Sequence, residues 1–130
     1  MAVAEGRVFK FDDESEIKTE FLENFEYGGK KQEIVYETDE FNAVCPFSGL
    51  PDFGVLTIKY IPKKHIVELK SLKYYIISFR NVGIYQEKAT DRIFNDLLNC
   101  LNPEYLEVKT VYNIRGGIKS TCTMNSKDYK

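Results

Sequence analysis

The chain of 130 residues contains no tryptophan, one histidine and three cysteines. The histidine, His65, stands in no recognisable metal-ligand spacing, and Cys45, Cys100 and Cys122 include no CxxC pair. We therefore predict no bound metal. An odd number of scattered cysteines, with no signal peptide before them, is typical of the reducing cytoplasm, and this is the predicted location.

Strong net charge and long apolar runs are also missing. The net charge at pH 7 is −2, so no general attraction to nucleic acid is expected, and the scattered lysines fit solvated faces. No apolar run is long enough to cross a bilayer. The length indicates one domain, small enough for oligomerisation to add to its stability. Without tryptophan, tyrosine and phenylalanine must fill the core and any interface.

Periodicity and turn residues predict an acidic N-terminal arm followed by strands, two helices and more strands. Residues 1–30 form the arm, with a helical turn around Ser15–Phe25, and residues 31–130 form the domain. The predicted elements are strands 33–37 and 54–60, helices 67–79 and 86–101, and strands 105–112 and 117–124. The inner face of the first helix would carry Leu69, Leu72, Tyr75, Ile76 and Phe79.

This order implies an α+β fold in which both helices cover one face of an antiparallel sheet. Such a sheet has open edges, which invite pairing with further copies of the chain into a ring or barrel. A homo-oligomer of this kind would carry its binding sites in the clefts between subunits.

The segment Val44–Gly54 carries the clearest chemical signal. It contains Cys45 and Asp52, seven positions apart. Two prolines fix φ and a glycine permits positive φ, so one sharp turn can aim both side chains into a common cleft. A cysteine attacks as its thiolate, and a shielded acid can deliver a proton, so the pair predicts a nucleophile and its proton donor. The alternative is that Cys45 is a small buried hydrophobe.

Two further clusters lie at the predicted helix starts. Glu68 opens the first helix, where Lys70 and Lys73 share one face and can meet a dianion or remain solvated. Glu87 follows Gln86 in the first turn of the second helix. There the helix dipole favours a carboxylate, so capping alone explains it.

Taken in this order, the three clusters resemble the NADPH-dependent 7-cyano-7-deazaguanine reductases of queuosine biosynthesis, a tRNA modification. The resemblance is to the short single-domain type of this family, within the tunnelling-fold group that includes GTP cyclohydrolase I. It spans residues 33–118. Cys45 with Asp52 resembles the nucleophile and acid loop, Glu68–Tyr75 the signature associated with NADPH, and Phe79–Glu87 the substrate segment.

The resemblance implies several subunits around a tunnel, with active sites shared between neighbours. It implies NADPH-dependent reduction of a small deazapurine nitrile to the amine through a thioimide on Cys45, with Asp52 as proton donor. The implied substrate-binding residues are Val67, Glu68, Leu69, Gln86 and Glu87. Lys70, Ser71 and Lys73 would meet the phosphates of NADPH, with Arg115 as an additional candidate.

The chain departs from the family pattern at one site position. The family commonly has His-Glu where this chain has Gln86-Glu87. Glutamine forms hydrogen bonds but does not titrate near neutral pH, so a proton relay through histidine does not carry over. Three alternatives stay open: a hydrolase like GTP cyclohydrolase I, an amidinotransferase-like enzyme acting on the same nitrile, and a ring-forming binding module whose Cys45 would be unreactive.

Overall fold

The computed structural model describes residues 2–127, which form two antiparallel sheets and two α-helices. The strands are β1 (Asn24–Glu26), β2 (Ile34–Val44), β3 (Pro51–Ile61), β4 (His65–Val67), β5 (Tyr105–Tyr112) and β6 (Thr121–Asn125), and the helices are α1 (Leu69–Ile77) and α2 (Gln86–Leu101). The main sheet has the order β2-β3-β5-β6, and β1 pairs with β4. The four strand pairs in these two sheets are antiparallel. The predicted α+β class and antiparallel sheet are confirmed.

The core lies between the two helices and one face of the main sheet. Alternate residues of the central strands are buried on that face, as a period of two requires. They are Leu56, Ile58 and Tyr60 on β3 and Leu106, Val108 and Thr110 on β5. Helix α2 buries Ala89, Ile93, Leu97 and Leu101, the four residues predicted for its inner face. The described residues include no helix long and apolar enough to span a membrane.

Helix α1 is shorter than predicted at both ends. Val67 belongs to β4 and Glu68 is the N-cap residue, so the helix begins at Leu69. Leu69 is 56% exposed, which corrects its predicted position on the inner face. Leu72 and Tyr75 of the same predicted face are buried. The apolar periodicity of the sequence extends past the N-terminal end of α1. A pattern of apolar residues does not indicate that Glu68 caps the helix there.

Strands β2 and β3 are longer than predicted, each with 11 residues. Asp52 therefore lies within β3 and not in the turn. The pairing of β2 with β3 shifts register between Thr38 and Phe41, which is a β-bulge. One extra residue reverses which side chains of β2 face the helices. Phe41 and Ala43 are thereby buried. Strand β6, in contrast, begins later than predicted, at Thr121.

The N-terminal segment is attached to the rest of the fold along much of its length. In place of one helical turn it has two 3-10 turns, Glu14–Glu16 and Thr19–Phe21, before β1. The Arg92 guanidinium donates to Thr19 Oγ1 and to Asp96 Oδ2, both at 2.9 Å. This network ties the second turn to α2. The division into an arm and a domain near residue 30 stays a prediction.

Candidate active site

Cys45 lies in the tight turn that joins β2 to β3. The Cys45 N–H donates to the Leu50 carbonyl at 2.9 Å, and the Gly49 N–H donates to the Cys45 carbonyl at 2.8 Å. Gly49 has a φ of 72°, a left-handed conformation that glycine adopts without steric cost. The turn is therefore confined to residues 45–50, with both strands paired up to its edges.

The regular pairing of β2 with β3 beside the turn places the thiol and the carboxylate on the same side of the sheet. Ala43 pairs with Asp52, and directly opposed residues share a face. Cys45 follows Ala43 by two positions, which in a strand points to that face again. Asp52 is 7% exposed, and its charge is close enough to act on the half-buried Cys45 thiol.

The pKa of the Cys45 thiol is lowered from its ordinary value. The largest cause is the backbone N–H of Ser48, and the N–H of Phe47 and the Ser48 hydroxyl act in the same direction. Burial and the charge of Asp52 raise the pKa but do not outweigh these donors. A lowered pKa increases the thiolate fraction at neutral pH, and the thiolate is the form that attacks an electrophile.

Asp52 has a charged partner that the sequence did not reveal. Its carboxylate forms a hydrogen-bonded ion pair with Arg115, from the loop between β5 and β6. The Asp52 side chain is 10% exposed, whereas Arg115 is 47% exposed. The pairing depends on β5 lying next to β3, and no local pattern predicts that order. The predicted contact of Arg115 with the cofactor stays a prediction.

Gln86 and Glu87 begin α2 beside the Cys45 turn. The preceding residue, Tyr85, makes no side-chain hydrogen bond to the helix end. Its ring instead contacts Phe47 in the Cys45 turn, with centroids 5.9 Å apart. Glu87 lies in the first turn of the helix, as predicted, and its side chain is exposed. The start of α2 and the Cys45 turn therefore border one surface.

Tyr112, at the end of β5, was not predicted as a site residue but lies close to two that were. It is 2% exposed and pairs with Gly54, two positions after Asp52. Burial raises the pKa of the Tyr112 hydroxyl, and the charges of Cys122, Asp52 and Glu87 raise it further. The two carboxylates thus lie within electrostatic range of one buried hydroxyl. A tyrosine in an alternating strand gives no sequence signal for this position.

The predicted residues around α1 form a second group, and three of them are engaged in the fold. The Glu68 carboxylate accepts hydrogen bonds from the N–H groups of Lys70 at 3.1 Å and Ser71 at 2.8 Å. The Ser71 hydroxyl donates to the Glu68 carbonyl at 2.7 Å and accepts from the Glu23 N–H at 3.0 Å. Val67 is buried, and its N–H donates to Tyr60 Oη at 3.2 Å.

Lys70 and Lys73 lie on the edge of an open groove between α1 and strands β2 and β3. The groove has a volume of about 980 Å³, within the usual range for small-molecule sites. Arg80 adds a third cation to its lining, while Glu37 and Glu40 add carboxylates. Three cations fit the phosphates of a dinucleotide. The Ser71 hydroxyl already donates to the Glu68 carbonyl and accepts from the Glu23 N–H, and its contact with the cofactor stays a prediction.

Two groups of predicted site residues lie at opposite ends of β3. The Cys45 group comprises Cys45, Asp52, Gln86 and Glu87, and the Glu68 group comprises the predicted residues around α1. Asp52 stands at the start of β3, and Tyr60, which contacts Val67, follows eight positions later. At about 3.3 Å per residue, these two positions on the strand are roughly 26 Å apart. In one chain, therefore, the Cys45 group and the Glu68 group do not meet.

Two further findings concern metal ligands. Among residues 2–127, no three His, Cys, Asp or Glu side chains gather in a way that could hold a metal ion. His65 was expected in an exposed loop, but it lies half-buried in β4, paired with Glu26 of β1. The β1 pairing could not be anticipated, because β1 has only three residues.

Comparisons with known proteins agree on one family. The family model described as QueF-like protein matches residues 51–130. The NADPH-dependent 7-cyano-7-deazaguanine reductases of Thermotoga petrophila and Thermotoga maritima are each 57% identical over 131 residues, 100% of this chain and 96% of theirs. The reductase of the same name from Caldicellulosiruptor bescii is 52% identical over 106 residues, 80% of this chain and 81% of its own.

A solved structure has the same fold. The crystal structure of the archaeosine synthase QueF-Like in the apo form matches with a TM-score of 0.67 and 18% identity, over 80% of this chain and 100% of that one. Fold and site together define an α+β enzyme with a cysteine in the turn between two strands and a carboxylate at the start of the second strand. The chain belongs to the QueF-like family, and the resemblance to 7-cyano-7-deazaguanine reductases drawn from its sequence is confirmed.

Proposed function

We propose that this chain reduces the nitrile of 7-cyano-7-deazaguanine to the primary amine 7-aminomethyl-7-deazaguanine with NADPH, through a thioimide on Cys45. Relatives 57% identical over the whole chain carry the name NADPH-dependent 7-cyano-7-deazaguanine reductase. The observation that carries the covalent route is a thiol of lowered pKa beside a buried carboxylate. The three cysteines are unpaired, which supports action in the reducing cytoplasm, within tRNA queuosine biosynthesis.

The first step is addition of the Cys45 thiolate to the nitrile carbon. One carbon–sulfur bond forms, one π bond of the nitrile opens, and the nitrogen takes a proton from Asp52. A carboxyl group donates only after it has itself been protonated, and the proton that leaves the Cys45 thiol as the thiolate forms is the one that Asp52 passes to the nitrogen. The ion pair between Asp52 and Arg115 therefore has to open when the substrate binds, and the exposed position of Arg115 allows it to move.

The groove beside α1 is the proposed cofactor site. When bound, NADPH supplies hydride, and the oxidation levels of a nitrile and a primary amine require two equivalents. Lys70 and Lys73 hold its phosphates at the edge of the groove, and Arg80 lies on the same lining. Ser71 supports this site indirectly, since its hydroxyl holds the start of α1 to Glu23.

Recognition of the base is assigned to carboxylates. Glu87, exposed beside the Cys45 turn, accepts hydrogen bonds from a ring N–H and the exocyclic amine of the base, a charged bidentate contact. Gln86 adds a hydrogen-bonding amide. Val67, Glu68 and Leu69 contact another edge, and Glu68 does so while its carboxylate caps α1.

The distance between the two groups supports an active site shared by two copies of the chain. A single deazapurine ring system cannot span roughly 26 Å of strand. The Glu68 group of one copy must then meet the Cys45 group of another, if both contact the same base. Strands β2 and β6 are the edges of the main sheet, and such edges pair readily with other chains into rings.

The reaction is tested by mixing the protein with the nitrile and NADPH and measuring NADPH oxidation and the amine product. Two NADPH consumed per amine formed is the expected result. A Cys45 adduct without NADPH oxidation would instead indicate the amidinotransferase-like alternative. Neither an adduct nor oxidation would indicate a binding module, and turnover of GTP a cyclohydrolase.

Sharing of the site is tested by mixing inactive variants. If Lys70→Glu abolishes activity, as the cofactor role predicts, co-assembly of Cys45→Ala with Lys70→Glu chains restores about a quarter of the activity, because sites built from one intact side of each chain reappear. The matched control is Cys45→Ala with Asp52→Asn, whose positions lie at the same end of β3, so this mixture should be no more active than the Asp52→Asn chains alone. Equal failure of both mixtures contradicts the shared site.

A further inference from the structure

The N-terminal residues Phe9–Asp12 contact two regions next to Cys45. One is the turn that carries Cys45, and the other is the segment 81–83 that leads into α2. The Phe9 N–H donates to the Ser48 carbonyl in the Cys45 turn at 2.8 Å. The Asp12 N–H donates to the Asn81 carbonyl, and the Asp12 carbonyl accepts from the Gly83 N–H, each at 2.8 Å. One short segment thus spans the turn that carries the thiol and the segment that leads into Gln86 and Glu87.

These contacts continue a hydrogen-bonded ladder that reaches Cys45. On the other side of residues 81–84, the Val44 N–H donates to the Val82 carbonyl at 3.0 Å and the Ile84 N–H donates to the Val44 carbonyl at 3.1 Å. Asp12 forms a parallel bridge with Val82, and Val44 forms one with Gly83. The chain therefore runs parallel in three neighbouring segments, around Asp12, Val82 and Val44 in that order, and the Asp12 segment lies on the outside.

Two glycines make room for the segment. A Cβ on Gly49 would overlap the Phe9 carbonyl, and a Cβ on Gly83 would overlap the ring of Phe11. The Phe9 carbonyl is a backbone group and cannot yield as a flexible side-chain end can, and the Phe11 ring could yield only by moving as a whole. The absence of side chains at these two positions allows the segment to approach both loops closely.

The contact from Phe9 reaches the residue that most affects the thiol. The Ser48 N–H is the largest cause of the lowered pKa of Cys45. The carbonyl of the same residue is the one that accepts from Phe9. A segment that fixes Ser48 therefore also fixes the donor that stabilises the thiolate.

We propose that Phe9–Asp12 is a positioning segment that holds the Cys45 turn and the start of α2 at one spacing, so that the thiol and Glu87 meet the same bound ring. The proposal rests on the roles proposed above for Cys45 and Glu87. The segment acts through Ser48 and Gly83 and does not touch the reacting atoms.

The test uses Phe11→Ala, which removes the ring packed on Gly83, and Gly83→Ala, which forces the same contact apart from the other side. Lys10→Ala is the matched control, because Lys10 lies between the anchored residues but is exposed. All are made in the full chain. The readouts are the rate of adduct formation with the nitrile, and the pH dependence of alkylation of the Cys45 peptide by iodoacetamide.

Phe11→Ala and Gly83→Ala should each slow adduct formation roughly 10- to 100-fold, as expected when reacting groups are misplaced by about 1 Å. The midpoint of Cys45 alkylation should move to higher pH, because a lost N–H donor raises the pKa of the thiol. Cys100, whose pKa is raised by burial, should keep its profile. Lys10→Ala should leave both readouts unchanged.

A fall in melting temperature with an unchanged adduct rate and alkylation midpoint in both variants would overturn the proposal, since the segment would then be only structural. Retained turnover in Cys45→Ala would overturn the proposed covalent route instead. The alkylation profile distinguishes the two failures, because it reports the hold on the Cys45 turn without any substrate.

Discussion

The two ends of β3 carry polar side chains that are used differently. At the Cys45 end, a thiolate-prone sulfur, the Asp52 carboxylate and the half-exposed Arg115 guanidinium interact with one another beside the start of α2. At the other end, Glu68 and Ser71 satisfy the first turn of α1. The first group can be rearranged by a ligand without loss of a helix, whereas the second cannot. The polar side chains beside the start of α2 are therefore freer to bind a ligand than those at the start of α1.

Among the substitutions that test this comparison, Cys45→Ala should have the largest effect on activity. Turnover of the nitrile should fall by at least roughly 10⁴-fold, as is typical when a covalent nucleophile is removed. Cys122→Ala is the matched control and should retain activity. NADPH oxidation at saturating nitrile measures both. Substantial turnover without Cys45 would mean that the chemistry does not belong to this end of β3.

Asp52→Asn should slow formation of the adduct by roughly 10²- to 10⁴-fold, because an amide cannot deliver the proton to nitrogen. Affinity for the base should change little. Rapid-quench mass measurement of the adduct gives the rate, and equilibrium titration gives the affinity. Asp91→Asn, at an exposed position of α2, is the control. An unchanged rate would leave Asp52 only a partner of Arg115.

Glu87→Ala should mainly weaken substrate binding. Loss of a charged bidentate contact costs roughly 1.5 to 3 kcal/mol, or about 10- to 150-fold in affinity. The KM for the nitrile and its dissociation constant should rise together while kcat falls less. Asp91→Ala, one turn further along α2, serves as the control. An affinity like that of the unaltered protein would make Glu87 a helix-dipole residue alone.

Glu68, which caps α1 and is proposed to contact the base as well, should show the smallest effect, with the loss of stability larger than the loss of nitrile binding. Glu68→Ala removes the N-cap and should lower the free energy of unfolding by about 0.5 to 2 kcal/mol. Glu68→Gln keeps an acceptor oxygen and should lose less. Denaturant titrations compare the two. If Glu68→Gln unfolds normally but binds the nitrile much more weakly, its carboxylate contributes chiefly to the base and the contrast between the two ends disappears.

Elements bounded by strong local signals were predictable from the sequence. Helix α2 was predicted from Gln86 to Leu101 because its apolar face is regular and Pro103 follows it. Strand β5 was predicted from Tyr105 to Tyr112 by simple alternation. The second half of β2 was missed because the acidic run Glu37–Glu40 contains the bulge, and a bulge changes the phase of the pattern.

The candidate site was predictable only where its residues are close in sequence. Cys45 and Asp52 flank one turn, so their proximity followed from spacing. The ion pair of Asp52 with Arg115 depends on the order of strands in the sheet. The contacts of Phe9 and Asp12 with residues far along the chain depend on where the N-terminal segment packs. Tertiary contacts of this kind leave no mark in local periodicity.

The central claim is that Cys45 Sγ forms a temporary bond to the nitrile carbon. Mass spectrometry of the protein mixed with 7-cyano-7-deazaguanine in the absence of NADPH tests it most directly. The predicted result is a mass increase equal to one whole nitrile per chain, on the peptide that contains Cys45, and reversed when NADPH is added. No increase, or an increase confined to Cys100 or Cys122, would contradict the account.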